Sequence, residues 1–140
     1  MKQKIITLIV VVFAAILSGQ AQEQTYTIEV TINNIASDDG SIKIGLCDKK
    51  KDFLKKFIKG KSIKAQKGSM TVSFEEIPKG TYAISLIHDE DDNGKLNTFL
   101  MIPSEPYGTS NNAKGNFGPP KWQDAKFDII DKDIKLSIDL

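Results

Sequence analysis

Most of the chemistry open to this sequence is concentrated in one segment, His88-Asp89-Glu90-Asp91-Asp92-Asn93-Gly94-Lys95-Leu96-Asn97. Asp89, Asp91 and Asn93 fall at positions 1, 3 and 5 of a D-x-D-x-N-G loop, with Gly94 at position 6. In such a loop alternate side-chain oxygens turn inward around a hard cation, and the glycine permits the sharp bend that aims them. Lys95 would add its backbone carbonyl at position 7, and Asn97 a side-chain oxygen at position 9. At position 12 Leu100 stands where such loops carry a bidentate glutamate, so Glu105 or another acid further on has to complete the shell. Calcium is the expected ion. The competing reading is a type I′ hairpin turn at Asp92-Asn93-Gly94-Lys95, joining a strand that ends at His88 to Leu96–Ile102. A turn gives no reason for four consecutive acids, Asp89 to Asp92, whose repulsion a bound cation would remove.

The other reactive groups are scarce. His88 is the only imidazole, and its neighbour Asp89 points to the opposite face of any strand the two share, so they are no ready-made dyad. Ser110 is a nucleophile by type, but nothing in the sequence links it to His88. No catalytic set is expected; the alternative is a periplasmic hydrolase working through His88 and nearby loop residues. One histidine and one cysteine make a zinc site unpromising. A single Cys47 cannot form an internal disulfide and reads as a small buried strand residue. His88, Tyr107, Phe117 and Trp122 are the candidate ligand contacts. The three aromatics can stack on a sugar or peptide, although closing the end of the fold as a satellite core is the expected role, since large aromatics are mostly buried.

Composition narrows the partners. All 19 basic residues are lysine, the acids number 18, and the formal net charge is +1. So balanced a chain lacks the strongly basic face of a nucleic-acid binder. Lys2 and Lys4 precede an apolar run from Ile5 to Leu17, and Gly19-Gln20-Ala21 follows with small residues at −3 and −1. This is the layout of a signal peptide cleaved before Gln22. The run is short of the roughly 20 residues a membrane span needs. The expectation is therefore one exported domain, residues 22–140, periplasmic or secreted, without a transmembrane anchor after cleavage. A glycan, a peptide or another cell-envelope component would be its partner.

The elements that must position the acidic segment are strands. Apolar residues alternate at Tyr26, Ile28, Val30 and Ile32, then at Ile42, Ile44 and Leu46, with Asp38-Asp39-Gly40 turning between them. Met70, Val72 and Phe74 give another strand, closed by Ile77-Pro78-Lys79-Gly80. Tyr82, Ile84 and Leu86, with Ala83 and Ile87 opposite, describe a central strand running into His88. Phe127 and Ile129, then Ile134, Leu136, Ile138 and Leu140, finish the chain, and a weaker strand passes through Ile63 and Ala65. The pattern predicts an all-β, seven-stranded sandwich. Phe53, Leu54, Phe57 and Ile58 share one face of a short crossover helix beginning near Lys50, in a stretch with nine lysines from Lys49 to Lys67. Thr98 to Gln123, rich in proline, glycine and asparagine, reads as a long ordered loop folded over one edge of the sandwich.

Taken in order, several blocks resemble the DUF2141 family of uncharacterised exported bacterial proteins. They are Gly40-Ser41-Ile42 with Phe53, Phe74-Glu75-Glu76-Ile77-Pro78-Lys79-Gly80-Thr81-Tyr82-Ala83, and His88-Asp89 through Asn93-Gly94-Lys95-Leu96. Ile102-Pro103-Ser104-Glu105-Pro106-Tyr107-Gly108 and Phe117-Gly118-Pro119-Pro120 complete the set. The resemblance covers nearly all of residues 22–140. The family usually carries aspartate where Asn97 stands, which implies a site here with one charge fewer. The Ile-Pro-x-Gly-x-Tyr block is also similar to the strand-turn-strand of transthyretin-like and carboxypeptidase-regulatory domains, which implies a prealbumin-like (Ig-like) sandwich. The resemblance implies no activity.

Overall fold

The alternating residues build two sheets that share one buried core. The computed structural model describes residues 23–140; the expected leader, Met1–Ala21, lies outside them. Strand β1 (Thr25–Ile35) runs antiparallel to β4 (Gly68–Pro78) and parallel to β10 (Ile134–Asp139), giving a three-stranded sheet in the order β10-β1-β4. In the second sheet β2 (Ser41–Cys47) lies between β3 (Lys59–Lys64) and β5 (Gly80–Asp89), and β8 (Tyr107–Thr109) pairs with the other side of β5. Near its start β5 also pairs with β9 (Phe127–Ile129). Ile28, Val30 and Ile32 of β1, Phe74 of β4 and Ile138 of β10 meet Ile42, Leu46, Ile84 and Leu86 of the second sheet in a single cluster. Period-2 alternation sends these side chains to the inner faces, and their burial is the main stabilisation of the fold.

All seven segments that alternate in sequence carry strands. Three more short strands lie between Thr98 and Thr109: β6 (Thr98–Phe99), β7 (Ile102–Pro103) and β8, so ten are present among the described residues. Cys47 is buried on β2, where burial pushes its thiol pKa up.

Two expectations need correction. The segment from Lys50 forms a single 3-10 turn, Lys50–Asp52, in place of the crossover helix. Leu54 then takes a positive φ of 65°, which no helix continues through, and the Ile58 amide donates to Leu46. The Lys55 and Lys56 amides close one further turn on the Asp52 carbonyl, and sheet pairing then captures the chain before a helix can propagate. Phe53 alone of the expected face is buried, while Phe57 lies over Gly45, at the place a β-carbon there would occupy. The only α-helix among the described residues is α1 (Trp122–Ala125), inside the Pro/Gly-rich region.

The second correction concerns that region, which does not bury its apolar residues. Phe99, Leu100, Met101, Ile102 and Phe117 are exposed, because β6 and β7 pair only with each other and project from the sandwich. Trp122 does close the end: it meets Phe53 edge-on with ring centroids 5.7 Å apart, in a small cluster with Cys47, Ala83 and Ala125.

Candidate metal centre

The site grows from the end of β5. The register places Asp89 opposite Ser41 of β2, with the turn before β2 lying against the same backbone. Gly40, at φ +60°, has the Asp89 carbonyl and Glu90 backbone where a β-carbon would project, so only glycine allows this approach. His88 is fully buried; its Nε2 meets the Asp39 carbonyl at 2.8 Å and its amide donates to Pro106. His88 Nδ1 has no hydrogen-bond partner among the described residues, the Glu90 carboxylate standing 3.8 Å away.

From there the chain winds around carboxylates. Asp89, with no accessible surface, accepts from the Asn93 amide on Oδ1 (3.1 Å), and from the Gly94 amide (2.8 Å) and the Lys43 ammonium (2.8 Å) on Oδ2. Asp91 accepts from the Asn93 backbone and from the side-chain amides of Asn93 and Asn97. The Asn93 Oδ1 accepts from the Lys95 amide, and Lys95 itself stays exposed on the rim. Glu105, 6% exposed, returns from the far side of the β6–β7 hairpin and accepts from the amides of Glu90 (3.0 Å) and Asn97 (2.8 Å). Carboxylate oxygens of Asp89, Asp91 and Glu105 lie within 4.8 Å of one another, an arrangement that can hold a metal ion.

The hairpin-turn alternative is not what forms. Asp92 and Gly94 have positive φ but Asn93 does not, and β5 pairs with β8 rather than with Leu96–Ile102. The loop is shaped by side-chain oxygens capturing amides, the local competition that aspartate and asparagine offer to regular structure.

Electrostatics explain how four acids coexist here. Burial would raise the Asp89 pKa, but the hydrogen bond from Lys43, the Gly94 and Asn93 amides, and the Lys43 charge outweigh it and hold the carboxyl below its ordinary range. Lys43 is held above its ordinary pKa, chiefly by the hydrogen bond to Asp89, against partial desolvation and with the charges of Asp89, Asp92 and Glu105 in support. Asp92 faces away from the cluster and accepts from Ser41 Oγ at 2.7 Å. Lys43 and Ser41 are the participants that sequence reasoning missed. Only the β2–β5 register brings them to the acids, and no local motif signals it.

The remaining candidates are dispersed. Ser110 is buried, donating to the Ala125 carbonyl and accepting from the Ile84 amide, and no hydrogen bond joins it to His88 among the described residues. Tyr107 is half-buried on β8, Trp122 belongs to the small end cluster, and Phe117 lies in solvent. They do not form one aromatic platform. A polar cleft lined by Asp39, Lys64, Glu90, Asp91, Asn97 and Glu105 opens beside the carboxylates.

The fold and site define an all-β sandwich carrying an oxygen-rich acidic loop at the end of a central strand. The family model described as "Uncharacterized protein conserved in bacteria (DUF2141)" matches residues 30–137, and the chain belongs to that family. No curated protein and no solved structure matches it.

Proposed function

We propose that this chain is an exported, non-catalytic module with a prealbumin-like sandwich whose Asp89–Glu105 segment binds calcium and thereby fixes a binding surface for a cell-envelope component, a glycan or a peptide. The observation that carries the reading is the approach of Glu105 to Asp89 and Asp91, which supplies the third carboxylate that the loop lacks at Leu100. Asp89, Asp91, Asn93 and Asn97, with the Lys95 carbonyl, provide the remaining oxygens on the loop spacing that suits a hard cation. Three carboxylates and a resident ammonium favour a weak, extracellular-type affinity, about 10⁻⁴ M. Calorimetric titration of calcium into chelator-treated protein should show one site of that order, lost in Asp91→Ala. Absence of heat and of competition by calcium in that titration would remove the reading.

A further inference from the structure

The calcium reading makes no use of His88, although its imidazole is buried beside the acidic loop. It lies on β5 opposite Ile42 of β2, with no accessible surface. Its two ring nitrogens have different surroundings. Nε2 is 2.8 Å from the Asp39 carbonyl, and because a carbonyl only accepts, Nε2 carries the proton. In the neutral ring that bond leaves Nδ1 as a bare lone pair. Nδ1 is buried and has no hydrogen-bond partner among the described residues. Buried acceptors are ordinarily satisfied, so a bare one has a reason to be sought. Nδ1 faces the Glu90 carboxylate at 3.8 Å, and that group also offers only lone pairs. Two electron-pair donors turned toward each other across such a gap are complementary to a cation between them.

We propose that His88 Nδ1 and the Glu90 carboxylate together bind a divalent transition-metal ion of the zinc and copper class. Imidazole nitrogen suits such ions, whereas calcium takes oxygen. A metal-binding histidine almost always donates its other ring N–H to a carbonyl, carboxylate or water, which fixes the tautomer and makes the free nitrogen a better ligand. The Asp39 backbone supplies that partner here. Bonds of about 2.0–2.1 Å to nitrogen and about 2.0–2.2 Å to oxygen span the 3.8 Å separation. The Glu90 side chain is 41% exposed and lines the polar cleft with Asp39, Lys64 and Glu105, so it gives the ion a way in and is free to close on it. One imidazole is too few for a closed structural site, so this one is open, with water from the cleft completing the shell. It is separate from the Asp89, Asp91 and Glu105 cluster, to which neither His88 nor Glu90 contributes.

The test uses the fact that the sequence holds a single histidine. The chain beginning at Gln22, free of any histidine tag and labelled with ¹⁵N-histidine, is titrated with zinc chloride in the presence of calcium and followed by NMR. The ring reports on this site whether or not the acidic loop takes calcium, so failure here is distinct from failure of the calcium reading. The Nδ1 resonance should move with added zinc along a single-site isotherm, while Nε2 stays protonated on Asp39. Glu90→Gln, at an exposed position, should keep the fold and weaken zinc affinity about tenfold or more. Three outcomes would each overturn the proposal: an imidazole unmoved by zinc, equal zinc affinity in Glu90→Gln, or zinc-induced shifts confined to the backbone amides of Asp89–Asn97.

Discussion

Asp89–Asn97 and Thr98–Pro103 are consecutive in sequence and opposite in what holds them. In the first, polar groups satisfy one another: three carboxylates and two asparagine side chains accept or donate within a few residues, and Lys43 adds charge from the neighbouring strand. In the second, two backbone-paired positions carry four large apolar side chains into solvent. A loop can thus be fixed by hydrogen bonds to its own buried carboxylates, and a hairpin can be anchored at its base while its side chains remain free. The base is shared. Asn97 accepts from the Ser104 amide through its carbonyl and donates its own amide to Glu105, so whatever tightens the acidic loop also fixes the foot of the hairpin.

The sharpest way to break that contrast is to remove the buried carboxylate. Asp89→Ala orphans the Asn93 and Gly94 amides and leaves Lys43 unpaired, and should cost about 3 kcal/mol, the lower end for a broken buried pair because the lysine can rehydrate. Denaturant titration measures it. The pH dependence follows in sign. The folded pKa of Asp89 is depressed, so its contribution is present above the ordinary carboxylate range, near pH 4, and is lost as pH falls through the lower folded value. Asp89→Asn should flatten that acid limb.

Within the apolar residues the contrast runs between Trp122 and Phe117. Trp122→Ala removes the edge contact with Phe53 and should cost about 2 kcal/mol, less than a fully buried tryptophan would, since Trp122 is only half-buried. Phe117→Ala should move stability by under about 0.5 kcal/mol, as for other surface positions. Equal effects at the two sites would erase the distinction between packed and presented aromatics.

A smaller effect should come from Lys43→Gln. The ammonium is part-exposed, so its loss should destabilise the calcium-free protein by about 1 kcal/mol. The same change removes a resident positive charge from Asp89 and should enlarge the stabilisation that added calcium gives. Melts of the variant with and without calcium measure both. A variant whose calcium increment shrinks would show that Lys43 organises the site rather than competing for it.

How far the sequence carried these conclusions differs between the same regions. Strands were legible because one buried face imposes alternation, and Tyr26 to Ile32 or Tyr82 to Leu86 states it directly. The convergence of Asp89, Asp91 and Glu105 was legible in the spacing of the acidic loop and in the missing acid at Leu100. The pairing of Asp89 with Lys43 was not, since it depends on a register 46 residues away in sequence. Helical periodicity at Phe53–Ile58 misled because two pairs of apolar residues four apart fit an arc equally well. There Phe53 packs inward while Phe57 covers Gly45 from outside. The exposure of Leu100, Met101 and Phe117 was hidden for another reason. The hydrophobic effect makes burial the default expectation for such side chains, and no local pattern marks the ones a fold leaves exposed.

The most direct test of the central claim is a thermal melt in EDTA against one in calcium at constant ionic strength. At about 2 mM calcium and an affinity of about 10⁻⁴ M, linkage gives roughly 1.8 kcal/mol of stabilisation. For a domain of this size that raises Tm by roughly 5–10 °C. Asp91→Ala should abolish the increment. Asp92→Ala, which loses the Ser41 contact and a charge near Lys43 but none of the three clustered carboxylates, should keep most of it. Superimposable wild-type curves would contradict the account and leave Asp89–Asn97 as a loop held by its own hydrogen bonds.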